Sequence, residues 1–423
     1  DQETVTTSGA FSVDHEVDKI VTSLGDLPGN VEGLHVEILD SVNCYGRYMG
    51  FPDEAVTHSI NKPGEVDLYI SSAPHIHTTT LYDVIKHIEP LDQTNFKCVT
   101  FFFRHEDFNT VIGSEVDSMI WTVFQTKIRN GKYKVYVSTD KYFHTKWCAY
   151  AALSDCHVTT LFTSANLTTD HLKPLRCGQN FILNSIVTDT MEVGFFENCV
   201  LNPQRSRCSK VCDSIRWDWG SKVHIPDYSD YQPPDPRPRQ RSDIPRNMSS
   251  KLIFQNVVNF IEIVKSGKKG KKSDTSGGNH YIYMVSPFIV SKNGDSSIIE
   301  KLYDICCRSD GASSSDQADL VTKVVHCHDN FSQIINEKLA KIAEKMETSP
   351  MRNKFHCKFI AWVQSDADEV RILQTSANFN SENMTILPTV TRGSFSNLEW
   401  IVEHTVTEAT WNGIKQLIGF NEV

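Results

Sequence analysis

Apolar positions recur along this chain with two periods, and the same succession of periods runs twice. Residues 66–71 (VDLYIS) and 281–286 (YIYMVS) are short apolar runs rich in β-branched and aromatic residues. Each is closed by a nearby proline, Pro74 or Pro287, and both predict buried strands. A helical pattern follows each, over 80–88 and 297–307, and then a second strand, over 98–103 and 320–326. Further on, 143–151 and 355–363 are strand-like, as are 181–187 and 398–406. The alternation predicts an α/β fold, and its repetition predicts two fused, pseudo-twofold-related α/β halves with mixed β-sheets flanked by helices.

The breaks between these runs set the organisation. Residues 227–247 (DYSDYQPPDPRPRQRSDIPRN) are rich in proline and charge and cannot continue a packed element. They predict a first half over 1–226, a proline-rich linker over 227–250 and a second half over 251–423. Residues 266–279 (SGKKGKKSDTSGGN) carry four lysines but precede a strand, whereas ligand groups in parallel α/β sheets gather at the carboxyl ends of strands. That stretch reads as a surface loop. With 423 residues, 39% of them hydrophobic, the chain can bury a large core, and no segment approaches the roughly 18 apolar residues of a membrane span.

Chemistry enters through a repeated pair of motifs. His144 and Lys146 are followed by Thr163, Ser164, Ala165 and Asn166; His356 and Lys358 are followed by Thr375, Ser376, Ala377 and Asn378. In both copies the His precedes the Asn by 22 residues, and the copies lie 212 residues apart. A lone His-x-Lys carries little information, but a matched second copy is specific. Residues i and i+2 of an extended segment point the same way, so each His projects with its Lys. A pseudo-twofold axis would bring both pairs to one cleft. One imidazole could then attack phosphorus while the other protonates the leaving oxygen, with both lysines, Asn166 and Asn378 holding the non-bridging oxygens. Ser164 and Ser376 are candidate substrate contacts. That scheme requires neither a metal nor another cofactor.

These residues resemble the hallmark of the phospholipase D superfamily, a duplicated His-x-Lys unit followed by a small-residue and Asn segment. The resemblance implies a phospholipase D-like fold, with His144 as nucleophile forming a phosphohistidine and His356 as general acid, the opposite assignment staying open. Most members carry an Asp after each His-x-Lys; here the corresponding positions are Ala151 and Val363. In that respect the chain is similar to the tyrosyl-DNA phosphodiesterase and acid deoxyribonuclease II branches. The former has a Gln after the first motif and a Glu after the second, each orienting an imidazole, and Gln179 and Glu399 occupy comparable places, with Glu403 a nearby competitor.

Other features are read more plainly. His105, and His326 with His328, follow the second strand of each half, which places His105 and His328 as candidate substrate contacts at a cleft rim, or as polar strand ends. Trp217 and Trp219 could stack bases or cap the core. The net charge of −10 argues against a polyanionic substrate, but protonation of all 16 histidines would make it +6, so an acidic working pH suits a phosphate-bearing one.

Twelve cysteines, with Cys177, Cys199, Cys208 and Cys212 clustered, and sequons at Asn166, Asn247, Asn330 and Asn383 predict a disulfide-bonded glycoprotein, secreted or endolysosomal. Asn247, Asn330 and Asn383 are the expected sugar acceptors, because a glycan on Asn166 would block the cleft. The chain starts at Asp1 without a signal-like run, which predicts that an N-terminal targeting segment has been removed or trimmed. The functional expectation is a nuclease acting on nucleic acid, DNA above RNA. The alternatives are a phospholipase D-type enzyme acting on phospholipid, and an inactive phosphate-binding protein on the same fold.

Overall fold

The computed structural model describes residues 34–61, 65–72, 76, 78–88, 96–108, 119–138, 144–152, 155–172, 182–210, 243–267, 280–291, 293–307, 320–327, 347–351, 355–364, 368–386 and 397–418. The first half runs β1 (His35–Leu39), α1 (Ser41–Asn61), β2 (Val66–Ser72), α2 (Thr78–Ile88), β3 (Phe96–Arg104), α3 (His105–Phe108), α4 (Met119–Arg129), β4 (Tyr133–Ser138), β5 (Trp147–Ala152), β6 (His157–Thr163), α5 (Thr169–Leu172) and β7 (Asn184–Glu192). Then come α6 (Val193–Phe196), a π-helical turn (Glu197–Leu201), α7 (Asn202–Arg205) and β8 (Cys208–Lys210). The second half runs β9 (Arg246–Ser249), α8 (Ser250–Gly267), β10 (His280–Val285), α9 (Ser297–Cys307), β11 (Leu320–Cys327), β12 (Glu347–Met351), β13 (Lys358–Gln364), β14 (Glu369–Thr375), β15 (Leu398–Thr407) and α10 (Glu408–Leu417).

The first sheet has eight strands in the order β1-β7-β6-β5-β2-β3-β4-β8, and the second has seven in the order β12-β11-β10-β13-β14-β15-β9. Taken from its β9 edge, the second sheet reproduces the first seven strands of the first, one for one. β2–β3 and β10–β11 are parallel, while β2–β5 and β10–β13 are antiparallel. Both sheets are therefore mixed, and the α/β duplication expected from periodicity is present. β8 is an additional edge strand on β4.

Strand periodicity divides the core into three clusters. Phe101 and Phe103 pack with Leu81, Ile85 and Phe124 of α2 and α4, while Phe102 between them points to the opposite face. There it joins Trp147, Ala149, Phe162 and Val187 of the first sheet and Tyr283, Phe359, Ile372, Trp400 and Val402 of the second. A third cluster seats α8 and α9 on the outer face of the second sheet through Ile253, Val257, Ile261, Ile298 and Leu302. The order of layers is helix, sheet, sheet, helix, and the apolar centre is shared by both halves.

Some local expectations change. Arg246–Ser249, read as the end of the linker, form β9, the counterpart of β1, and pair antiparallel with β15. The Pro-rich residues before 243, the lysine-rich 268–279, and Trp217 and Trp219 lie outside the described residues. Cys44, Cys98, Cys148, Cys156 and Cys199 are free thiols, so Cys199 takes no part in the expected disulfide-bonded cluster. Burial pushes the thiols of Cys44 and Cys148 up to about 12, so they behave as small apolar side chains. Among the described residues no helix is long and apolar enough to cross a membrane.

Candidate active site

The two Thr-Ser-Ala-Asn segments end β6 and β14 by the same device. Thr163 Oγ1 accepts from the Ala165 N–H at 3.0 Å, and Thr375 Oγ1 accepts from the Ala377 N–H at 3.1 Å. Each threonine hydroxyl also donates to the next strand, to Ser185 O at 3.0 Å or Trp400 O at 2.7 Å. The chain turns where a side chain has replaced a ladder partner. Ala165 and Ala377 are buried beneath the turn, and Asn166 and Asn378 emerge from it with 7% of their surface exposed. Both asparagines have a buried Oδ1 with no hydrogen-bond partner. These matched Oδ1 atoms can only accept, so a bond from either asparagine to a phosphate oxygen would have to come from its Nδ2.

Each His-x-Lys is held by the opposite half. The His144 N–H donates to Leu398 O at 3.2 Å, and the His356 N–H donates to Leu183 O at 2.7 Å. Leu183 and Phe355 also form a parallel bridge, and the Trp400 indole N–H crosses to Thr163 O at 2.9 Å. β5 starts at Trp147 rather than at the expected 143; His144 bonds across to the second half, while Lys146 O still accepts from the Thr163 N–H of β6 at 3.1 Å. Thr145, pointing away from His144, donates to Asn247 Oδ1 at 2.7 Å, and Asn247 Nδ2 donates to Val200 O in the π-helical turn at 2.9 Å. A π turn frees carbonyls from the regular helical pattern, and one of them here anchors the motif.

The two imidazoles sit in unequal surroundings. His144 Nδ1 lies 2.8 Å from Glu399 Oε2, with Glu399 wholly buried and the His144 side chain 13% exposed. Glu399 also accepts from Ser376 Oγ at 2.6 Å and from Asn383 Nδ2 at 2.7 Å. Burial alone would raise its pKa, but His144, Lys146 and Ser376 outweigh burial and hold it below the ordinary carboxylate value. It is an anion. His356 Nδ1 instead meets the Ser164 backbone carbonyl at 2.6 Å, and Lys358 Nζ lies 3.1 Å and 3.2 Å from its two ring nitrogens.

Burial sets the protonation of this cluster. It pushes His144 down to about 4 despite Glu399, with Lys146 and Lys358 adding to the shift. His356 falls well below the usual imidazole value through burial and through Lys358, His171, Lys146 and His144. Lys146 is buried and falls well below the usual ammonium value, first by burial and then by Lys358. Its Nζ donates to His144 O at 2.7 Å. The balance of +6 imagined for full protonation therefore overstates the charge these histidines carry in mild acid.

Of the residues singled out in sequence, His144, Lys146, Asn166, His356, Lys358, Asn378 and Glu399 come together. Ser164 and Ser376 belong to the same turns but are fully buried, with hydroxyls engaged inside the fold. Ser164 Oγ accepts from Ser185 N at 2.9 Å and Ser376 Oγ from Trp400 N at 2.9 Å, so they brace the turn rather than reach a ligand. Glu403, the competing acid, pairs with Arg371. His105 begins α3 at the end of β3, and neither its side chain nor that of His326 is among the described ones. Gln179 and His328 lie outside the described residues. Strand register gives Glu399 a counterpart that motif spacing missed. Thr163 pairs with Ile186 and Thr375 with Ile401, so Glu399 corresponds to Asn184, which accepts from Ser164 Oγ at 3.4 Å.

Two of the three expected glycan acceptors are part of this machinery. Asn247 and Asn383 each have only 4% of their surface exposed and both amide ends engaged. They brace the site and do not carry sugar in the folded protein; Asn330 lies outside the described residues.

No family model matches the sequence, and no curated protein matches it. Solved structures share the fold at low identity. The polyphosphate kinase of Porphyromonas gingivalis superposes on 91% of this chain with a TM-score of 0.50 at 10% identity, and the chain spans 50% of that protein. The phosphatidylserine synthase of Haemophilus influenzae Rd KW20 gives a TM-score of 0.52 at 11% identity over 95% of this chain and 90% of its own. Yeast tyrosyl-DNA phosphodiesterase gives 0.47 at 10% identity, with 88% of each chain covered.

Proposed function

We propose that this chain, phospholipase D-like in its fold, is a phosphodiesterase that cleaves nucleic acid through a covalent phosphohistidine. The observation that carries the reading is the unequal setting of two paired imidazoles, a buried carboxylate on Nδ1 of His144 against a backbone carbonyl on Nδ1 of His356. A carboxylate at Nδ1 fixes the proton there and leaves Nε2 with its lone pair, which suits a nucleophile.

His144 Nε2 attacks phosphorus, and the bond to the leaving oxygen breaks as His356, protonated, gives that oxygen its proton. Water then attacks phosphorus and displaces His144, while His356 recovers a proton from the water. Lys146, Lys358, Asn166 and Asn378 hold the non-bridging oxygens, whose charge grows in each transition state. These residues fill every role of the displacement.

His144 must be neutral and His356 protonated. With both pKa values lowered, that combination is most populated on the acid side of neutrality, and kcat/KM is expected to peak there. An endolysosomal or secreted acidic setting fits that optimum. DNA is the favoured substrate, because Ala151 and Val363 stand where most members of the resembled superfamily carry Asp, an absence similar to that in its DNA-acting branches.

The test incubates wild type and His144→Ala with labelled single-stranded DNA, duplex DNA, RNA and phosphatidylcholine, with chelator, at about pH 5 and about pH 7.5. DNA cleavage at the lower pH, reduced by more than roughly 10³-fold in His144→Ala, is expected. Cleavage of phosphatidylcholine alone would replace the nucleic-acid substrate with a lipid. Phosphate binding without turnover of any substrate would leave a binding protein.

A further inference from the structure

A third histidine belongs to this cleft. His171 lies in the short helix α5, and its ring meets that of His356 edge to face with centroids 4.5 Å apart. Its Nδ1 accepts the backbone N–H of Asn166 at 3.1 Å, and its carbonyl accepts from Asn184 Nδ2 at 3.3 Å. Position 171 follows Asn166 by five residues, as Asn383 follows Asn378. In the second half that position holds an amide donating to Glu399, which in turn holds His144. In the first half it holds an imidazole set against His356 directly.

We propose that His171 is a positioning residue for His356, fixing the plane of its ring and governing the pH at which it takes up a proton. The hydrogen bond from Asn166 occupies Nδ1, so neutral His171 carries its proton on Nε2, and a second proton would break that bond. Two imidazoles this close do not both become cations, and they titrate as a coupled pair. Charge on either ring therefore opposes charge on the other, and His356 also meets the opposition of Lys358, Lys146 and His144. Among the described residues, the charged or titratable groups around it are Lys358 beside it on β13, His171 on α5, and His144 and Lys146 ahead of β5, with Glu399 of β15 behind His144. Replacing His171 removes one source of that opposition.

The inference rests on the phosphodiesterase reading for its catalytic meaning, but its first test needs no substrate. In the full chain labelled with ¹⁵N-histidine, long-range nitrogen–proton correlation reads the tautomer and midpoint of each ring. The Nε2–H tautomer is expected for His171, and in His171→Asn, the residue type of the second half, the His356 midpoint should rise by about half a unit or more. His171→Gln serves if His171→Asn does not fold. An Nδ1–H tautomer in wild type, or an unmoved His356 midpoint in a folded variant, overturns the proposal. With bis(4-nitrophenyl) phosphate as probe, the alkaline limb of the rate profile should move to higher pH along with that midpoint. A merely structural role would lower the rate and leave the limb in place. Should the midpoint move while wild type turns over no phosphodiester, the phosphodiesterase reading fails and the positioning role stands.

Discussion

Glu399 is a buried anion whose partners among the described residues are His144, Ser376 and Asn383, and the imidazole of His144 is the one among them that faces the cleft. Ser376 and Asn383 fill the rest of its coordination, so the carboxylate has a single orientation. Glu399→Gln keeps the shape, removes the charge and disturbs the tautomer of His144. Turnover should fall by roughly 10²–10⁴-fold with the fold retained, and steady-state kinetics beside a melting curve would check it. The same density of bonding decides the fate of the sequons. Peptide mapping of protein made in a glycosylating host should find Asn247 and Asn383 bare, because each side chain already bonds at both amide ends inside the fold. Occupancy of either would mean that the surrounding turn opens before folding is complete.

At the level of elements, the central strands were legible because buried strands have to alternate or run apolar, whereas the edge strands β1, β8 and β12, and β4 beside β8, were not read from the periods. β9 was hidden because its sequence, Arg-Asn-Met-Ser, abuts a proline-rich run and gains strand character from β15 rather than from its own residues. The partner of Glu399 was missed for a related reason. Spacing from the motif pointed to Gln179, whereas strand register, which sequence does not show, points to Asn184. His171 was passed over, and Asn383 was read only as a sequon, because each acts through a neighbour and completes no catalytic motif. Trp400 ties the two sheets together by burial and by its indole bond to Thr163 O. Trp400→Phe keeps most of the apolar surface and orphans that carbonyl, at a cost of about 1–3 kcal/mol measurable by urea denaturation.

For the whole molecule, pH acts on stability through histidines that are buried while uncharged. His404, bonded to Gln374 Oε1 at 3.0 Å, is pushed by burial down to about 3, and His144 down to about 4, both from 6.5. Between those values and 6.5 the unfolded chain binds protons that the folded chain refuses. Their contribution is complete above about pH 6.5 and is lost as the pH falls toward 4. The lowered Glu399 acts in the same direction at still lower pH. The melting temperature should therefore drop on acidification, as calorimetry from about pH 7 to about pH 4 would show. Inorganic phosphate should offset part of that drop if it binds beside the lysines, since a ligand of the folded state alone stabilises by mass action.

The backbone bonds from His144 to Leu398 and from His356 to Leu183 carry an implication for symmetry. Each half helps to hold the other's imidazole, so one half of this kind would meet the same contacts only in a pair of identical subunits. In such a pair any change beside one histidine is copied beside its twin, and neither can specialise. In this single chain positions 171 and 383, and 184 and 399, hold different residues, so the two histidines meet different neighbours.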